Sequence, residues 1–404
     1  MKGELFCKLS LSFLSVLVSS TLIACSNDES SIKTQEEKRK AQETESFTQA
    51  KLYLVKKDGR YGFINQKGQL MIPYLYKSAQ NFSEGLAMVS KDGKHYGYID
   101  TSGKVKIPLY LQNREGELPL YGGSNDQLDF NMGKVTYYDK KADSTGILTN
   151  KGQNLHSPKY NYDFIEEGYI FATDKKTNQQ VVLDKNGKKV FTPKRGEVVR
   201  DIYKDYFAVT TVKEDDEQEE FEIVDLVDNH NKVIVDATEK KIIQWKYGNE
   251  GLIPYYTDDF FEGEGYVNDN GEIVIKARFD SASPFSEGMA VVGLTPEQAE
   301  DPYVRSGYIN QTGEIVIPVI YDTATDFNEG VALVSKDNKY FFINKTGKKL
   351  FNQSFSDARN FQSGLALVKK GNKLQYINKK GKVVWGNVIT NDKDLFADFI
   401  NDAF

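Results

Sequence analysis

The stretch "GYINQTGEIVIPVIYDTATDFNEGVALVSKDNKY" (307–340) runs directly into "FFINKTGKKLFNQSFSDARNFQSGLALVKKGNKL" (341–374), and the two align without a gap at a spacing of 34 residues. A fixed period of this size marks a repeat architecture, in which one supersecondary unit recurs because it cannot bury its apolar face alone.

Three sub-motifs make up the unit. The first is Gly-aromatic-Ile-Asn/Asp-x-x-Gly, seen as "GFINQKG" (62–68), "GYIDTSG" (97–103), "GYVNDNG" (265–271), "GYINQTG" (307–313), "FFINKTG" (341–347) and "QYINKKG" (375–381). Weaker copies are "GILTNKG" (146–152) and "VVLDKNG" (181–187), and in "VDLVDNHNK" Asn231 stands where the glycine belongs. Asn or Asp at the first turn position caps the turn with its own side chain. The glycine three residues later supplies a positive φ, which Asn tolerates next best. The structural turn positions are therefore Gly68, Gly103, Gly187, Gly271, Gly313, Gly347 and Gly381. With alternating apolar residues on both sides, each is a predicted β-hairpin.

The second sub-motif is Phe-x-Glu-Gly-apolar-Ala-x-Val: "FSEGLAMV" (82–89), "FSEGMAVV" (285–292), "FNEGVALV" (327–334) and "FQSGLALV" (361–368), with degenerate forms "FNMGKVTY" (130–137) and "IEEGYIFA" (165–172). It predicts a buried Phe, a Gly-marked bend and a strand. The third, "IPYLY" (72–76) and "IPVIY" (317–321), places proline where a missing N–H costs nothing, at a strand end or sheet edge. Each unit thus supplies three antiparallel strands, with an irregular segment such as "YDTATDFNEG" leading to the next. About nine units fit between Leu52 and Trp385, degenerate over 109–261, with long loops expected at 111–127 and 213–220.

These units resemble the WG (KWG) repeat of bacterial proteins, with a consensus close to K-W-G-Y-I-D-x-x-G-x-x-x-I-P-P-x-Y-D-x-A-x-x-F-x-E-G-L-A-x-V. The resemblance covers 60–73, 82–108 and 265–381 well and the middle poorly. Tyr61 and Tyr96 stand where the family has tryptophan, and the "WG" at Trp385-Gly386 is out of register. The resemblance implies an all-β fold of tandem repeats of about 34 residues and no particular activity. Two closures are open: a propeller, which removes exposed sheet edges, or an open β superhelix, since nine units is many for one ring.

Residues 1–24 read as a signal peptide, with Lys2 and Lys8 ahead of the apolar run 9–24. That run is too short to span a bilayer. It ends in Leu22-Ile23-Ala24-Cys25, which resembles the lipobox of bacterial lipoproteins and implies lipidation (palmitate included) at Cys25. Cys7 lies in the segment that cleavage removes, so the mature chain has no internal disulfide. Residues 26–50 are polar and mixed in charge, and with Cys25 they form a polar tether, roughly 25–30 Å long as a coil. Ser26 implies the outer membrane by resemblance to the lipoprotein sorting rule, and Asp28 and Glu29 loosely resemble a surface-export signal. The repeat array occupies 51–390. The tail 391–404, with Leu395, Phe396, Phe399 and Ile400, has the spacing of a short amphipathic capping helix.

The chemistry sought elsewhere is sparse. The net charge of −6 and scattered lysines argue against nucleic-acid binding. There are three histidines, of which His95 and His230 read as solvated turn residues, and no HExxH, GxSxG or Walker loop. "NDNGE" (268–272) reads as another hairpin turn and "EDDEQEE" as a solvated loop, neither supplying a calcium loop's ligand pattern. Glu84, Glu287 and Glu329 recur at one repeat position, which points to a cap on the Gly bend rather than an acid/base pair. The expectation is a non-enzymatic, cofactor-free, lipid-anchored envelope protein that binds a protein partner. A carbohydrate- or peptidoglycan-binding module is the alternative, and it predicts solvent-facing Tyr and Trp in the eroded central copies. An enzyme built on Asp258, Asp259 and Glu262 is a third reading.

Overall fold

In the computed structural model, residues 51–388 are described except 112–129, 140–143, 167, 204–205, 215–219, 237–241, 246–249, 258–262, 269 and 296–302. The signal peptide, Cys25, the tether and the capping helix all lie outside the described residues. Residues 49–404 form one compact unit, and every buried apolar cluster falls within it.

The described strands assemble into nine small antiparallel sheets, arranged as the blades of a β-propeller. Blades 1 to 9 span 53–76, 78–111, 134–155, 160–191, 198–235, 242–279, 281–321, 323–344 and 357–388. Alternation along each strand explains why the sheets stack face to face. In Leu86–Ser90, Ala87 and Val89 pack toward blade 1 while Leu86 and Met88 pack toward blade 3. The same division recurs at Met289–Leu294 and Leu365–Lys370. The repeated small Ala and Val meet one neighbour, and the larger apolar residues meet the other.

The ring is closed by the same contacts that join its interior blades. Leu365, Leu367, Leu374 and Tyr376 of blade 9 share a core with Leu54, Tyr61 and Phe63 of blade 1. Across this seam the Tyr376 hydroxyl donates to the Leu54 carbonyl (3.0 Å), Asn387 Nδ2 to the Lys56 carbonyl (3.0 Å), and Trp385 Nε1 to the Tyr74 hydroxyl (3.3 Å). The propeller is therefore the closure adopted, and Trp385, although out of register with the family tryptophan, helps seal it.

Three expectations are corrected. The unit has a fourth strand: Ser78–Ala79, Ser281–Ala282, Thr323–Ala324 and Asp357–Ala358, within segments read as irregular, pair with the strand that follows each bend. Two residues are too few to show a period. The segment 213–220 is only partly a loop, since Lys213 pairs with Phe221 and Glu214 with Glu220 in a long hairpin. The third concerns the repeated glutamates, described below. Proline sits as expected, with Pro73, Pro108 and Pro318 in the edge strands Leu70–Tyr76, Val105–Leu111 and Ile315–Tyr321.

Candidate functional site

The Asn/Asp-x-x-Gly turns share one geometry. In "NKTG", Asn344 Oδ1 accepts the N–H of Thr346 (3.1 Å) and of Lys348 (3.0 Å), while the Gly347 N–H donates to the Asn344 carbonyl (2.9 Å). The seven glycines named above have φ between 73° and 83°, and Asn231 has φ 60°. Asn268 in "NDNGE" makes the same bonds, to the N–H of Asn270 and Glu272.

The Phe-x-Glu-Gly bend is a two-residue hairpin turn with both central residues at positive φ, for example Glu84 (48°) and Gly85 (80°) between Ser83 and Leu86. A glutamate is uncommon in that conformation. Its carboxylate, however, does not cap its own bend. Glu84 accepts the N–H groups of Met132 (2.8 Å) and Gly133 (2.6 Å) in the next bend of the ring. Glu287 accepts the Gly330 N–H (3.0 Å) and Glu329 the Gly364 N–H (3.2 Å). Glu250 accepts the Gly288 N–H (2.8 Å). Its bend, Glu250-Gly251, is a copy that the sequence reading missed because glycine, Gly248, replaces the motif's Phe. The signal present was Asn249-Glu250-Gly251-Leu252.

The other motif positions also reach across to the following blade. Ser83 Oγ donates to the Phe130 carbonyl (2.9 Å) and Ser286 Oγ to the Phe327 carbonyl (2.8 Å). The aromatic of the first sub-motif meets the next Phe at 4.8–4.9 Å in Phe63–Phe82, Tyr98–Phe130, Tyr266–Phe285, Tyr308–Phe327 and Phe342–Phe361. The Tyr266 hydroxyl donates to Ser283 O (2.7 Å) and the Tyr308 hydroxyl to Thr325 O (2.9 Å). From the following blade's turn, Lys345 Nζ reaches back to the Glu287 carboxylate (3.2 Å) and carbonyl (2.8 Å), and Lys379 does the same to Glu329. At the seam Gln66 holds that place, donating to the Ser363 carbonyl (2.6 Å).

Electrostatics agree with this joining role. Burial opposes the charged form of Glu287, but the Lys345 ammonium and the Gly330 and Glu329 N–H groups more than offset it. The carboxyl is held below its ordinary range. Burial pushes the Tyr266 and Tyr308 phenols far up. The three repeated carboxylates thus stand in separate interblade joints and form no acid/base pair with one another. His95 lies in an exposed turn with its Nδ1 2.6 Å from Asp92 Oδ2, and His230 in another. His156 instead meets the Tyr137 hydroxyl at 2.8 Å. Among the described residues no group of three or more His, Cys, Asp or Glu is placed to hold a metal. Asp258, Asp259, Glu262 and residues 112–127 lie outside the described residues.

The WG-containing repeat family matches residues 61–94, 96–112, 265–294, 307–340 and 340–373. The chain is a WG-repeat protein. Those matches fall on blades 1, 2 and 6 to 9, whereas blades 3 to 5 carry the same architecture in eroded sequence. No curated protein matches the chain significantly. Among solved structures, a eukaryotic initiation factor is 13% identical with a TM-score of 0.55, over 85% of this chain and 97% of that one. That likeness shows the fold alone. Hsv2 of Kluyveromyces lactis (11% identity, 65% and 80% coverage) and BamB of Moraxella catarrhalis (11% identity, 83% and 96% coverage) both align with a TM-score of 0.28.

What remains for function is the surface that the joints do not consume. The exposed edge strands carry Leu70, Met71 and Leu75 on blade 1, Val105 on blade 2, Ile273 and Val274 on blade 6, Ile315, Val316 and Ile320 on blade 7, and Val383 on blade 9. Residue type differs around this rim. The position after the turn glycine is Lys104 on blade 2 and Lys382 on blade 9 but Glu272 and Glu314 on blades 6 and 7.

Proposed function

We propose that this WG-repeat propeller is a non-catalytic binding or scaffold module, anchored in the cell envelope by lipid on Cys25 and engaging an envelope protein through its rim. The observation that carries the reading is the use of the repeated chemistry. Glu84, Glu287 and Glu329 each hold the bend of the next blade, and the aromatics that recur at one repeat position pack between blades. A rigid ring with a varied edge is what a binding platform needs. The lipobox-like tetrapeptide ending at Cys25 supports the anchor, and Ser26 supports an outer-membrane address, with surface exposure as its extension. The carbohydrate reading calls for solvent-facing aromatics. Of the described aromatics in the central blades, Tyr137, Tyr160, Phe171 and Phe207 are buried, and the exposed Tyr303 lies on blade 7, so the protein-partner reading is preferred.

The test is crosslinking in intact cells followed by capture of the tagged chain, with Cys25→Ser and a deletion of 112–127 in parallel. One stoichiometric envelope protein, lost on the deletion, supports the module reading. Retention on purified cell-wall polysaccharide without a protein partner overturns it. Loss of acyl-chain labelling in Cys25→Ser is the expected result for the anchor.

A further inference from the structure

We propose that the exposed edge of blades 9, 1 and 2 docks directly on an anionic lipid surface. The inference rests on the lipid-anchor reading for its setting, but its argument comes from the edge itself. Leu70 (46% exposed), Met71 (51%) and Leu75 (46%) of blade 1 are flanked by Val105 (45%) of blade 2 and Val383 (42%) of blade 9. Exposed Lys67, Lys104, Lys106, Lys380 and Lys382 are interleaved with them. Among the described turn and edge-strand residues of this sector the acidic one is Asp100, whose carboxylate is taken up by the turn N–H groups of Ser102 and Lys104 and by Lys106 at 3.7 Å.

The sector is continuous. The turn at Gly68 abuts the backbone of Val384, the turn at Gly103 packs on Ile72, and Trp385 bonds Tyr74 across the seam. Apolar side chains ringed by lysines, whose stems lie along apolar surface while their charges reach outward, match a headgroup–acyl boundary. A protein strand is a poor occupant, because Pro73 and Pro108 interrupt the donors that strand addition uses. Chain order agrees as well: the described chain enters the propeller at Tyr53 of blade 1, so in the lipid-anchor reading the tether runs into a blade of this sector. Blades 6 and 7 present a similar apolar edge with Glu272 and Glu314 in place of lysine, and they serve as the internal contrast.

The experiment uses residues 49–404, one compact unit that contains the core of the described residues and omits the expected leader and acylated Cys25. Cosedimentation with phosphatidylglycerol-containing vesicles is expected, but not with phosphatidylcholine alone, and it should weaken as salt rises. Lys104→Glu/Lys106→Glu/Lys382→Glu should weaken binding by roughly tenfold or more, and Leu70→Ser/Met71→Ser should also weaken it. Ile315→Ser/Val316→Ser on blade 7 should leave it unchanged. Absence of vesicle binding by a chain that still unfolds in one transition overturns the proposal, as does an equal loss in the blade 7 variant. The mass of the mature N-terminal peptide reads the anchor separately. Acylated Cys25 without vesicle binding sinks the docking, and vesicle binding with unmodified Cys25 sinks the anchor.

Discussion

At the scale of single residues, the joints between blades are hydrogen bonds whose acceptor or donor titrates, so they leave a mark on pH dependence. The Tyr308 phenol is pushed far above its ordinary value of 10.0, by burial first and then by Tyr321 and Asp326. A raised folded value means that this stabilisation is complete below pH 10.0 and is lost as pH climbs beyond it, where the unfolded chain ionises. Tyr308→Phe should therefore flatten the alkaline limb of stability. At neutral pH it should cost about 1–2 kcal/mol, for the bond to Thr325 and the carbonyl left behind. Denaturant unfolding at neutral and alkaline pH reads both effects.

Glu287 works in the opposite sense. Its folded value lies below the ordinary 4.5, so its contribution is present above that pH and fades as pH falls through the folded value. Glu287→Gln should flatten the acid limb. Because its side chain is 33% exposed, the neutral cost should be only about 0.5–1 kcal/mol. An acid limb unchanged from the parent would remove Glu287 from the interblade joint. The turn chemistry of this scale was legible in sequence, because Asn344 and its neighbours bond to partners two to four residues away. The destination of the glutamates was not, because Glu287 meets a partner 43 residues on, and local pattern carries no record of that distance.

At the scale of the element, the glycine of Gly-aromatic-Ile accompanies the seven-residue edge strands of blades 1, 2, 6 and 7. A Cβ on Gly307 would lie 2.7 Å from Val319 Cα and 2.8 Å from the Ile317 carbonyl, because the edge strand bulges over it between Tyr308 and its end. In blade 8 Phe341 takes this place, and its third strand reduces to the isolated bridges Ile343–Lys349 and Tyr340–Phe355. Blade 9 has Gln375 there, and the small residue moves to the partner strand, where Gly386 faces Gln375. The out-of-register "WG" thus has a packing reason. Gly307→Ala should cost about 1–3 kcal/mol through overpacking against backbone. Amide exchange should speed up in Ile315–Tyr321 while Met289–Leu294, on the other side of the sheet, stays protected. Uniform protection across both strands would contradict this account. The short fourth strands show the limit of reading at this scale. Ser78–Ala79 has no periodicity to detect, and only the pairing with Val89 and Ser90 defines it.

At the scale of the whole molecule, the repeat count and the alternation were in the sequence, but closure was not. A superhelix and a ring use the same unit and the same faces, and they differ only in whether the last unit meets the first. That meeting depends on side chains more than 300 positions apart, such as Tyr376 with Leu54 and Trp385 with Tyr74. Closure changes how the molecule responds to losing a piece. In an open array each repeat contacts only its neighbours, so removing the terminal one subtracts one repeat and one interface and leaves the rest folded. In the ring, ending the chain at residue 355 removes blade 9 and uncovers two faces at once. One is that of blade 1, with Leu54, Tyr61 and Phe63, and the other that of blade 8, with Leu333 and Phe342. Each buried aromatic or leucine on those faces contributes about 1.5–3 kcal/mol, so the truncated chain should lose its single cooperative transition and bind a hydrophobic dye strongly. A truncated chain that stays monomeric and unfolds cooperatively, with blades 1 to 8 protected from exchange, would show that the seam contributes little and that the array behaves as an open solenoid.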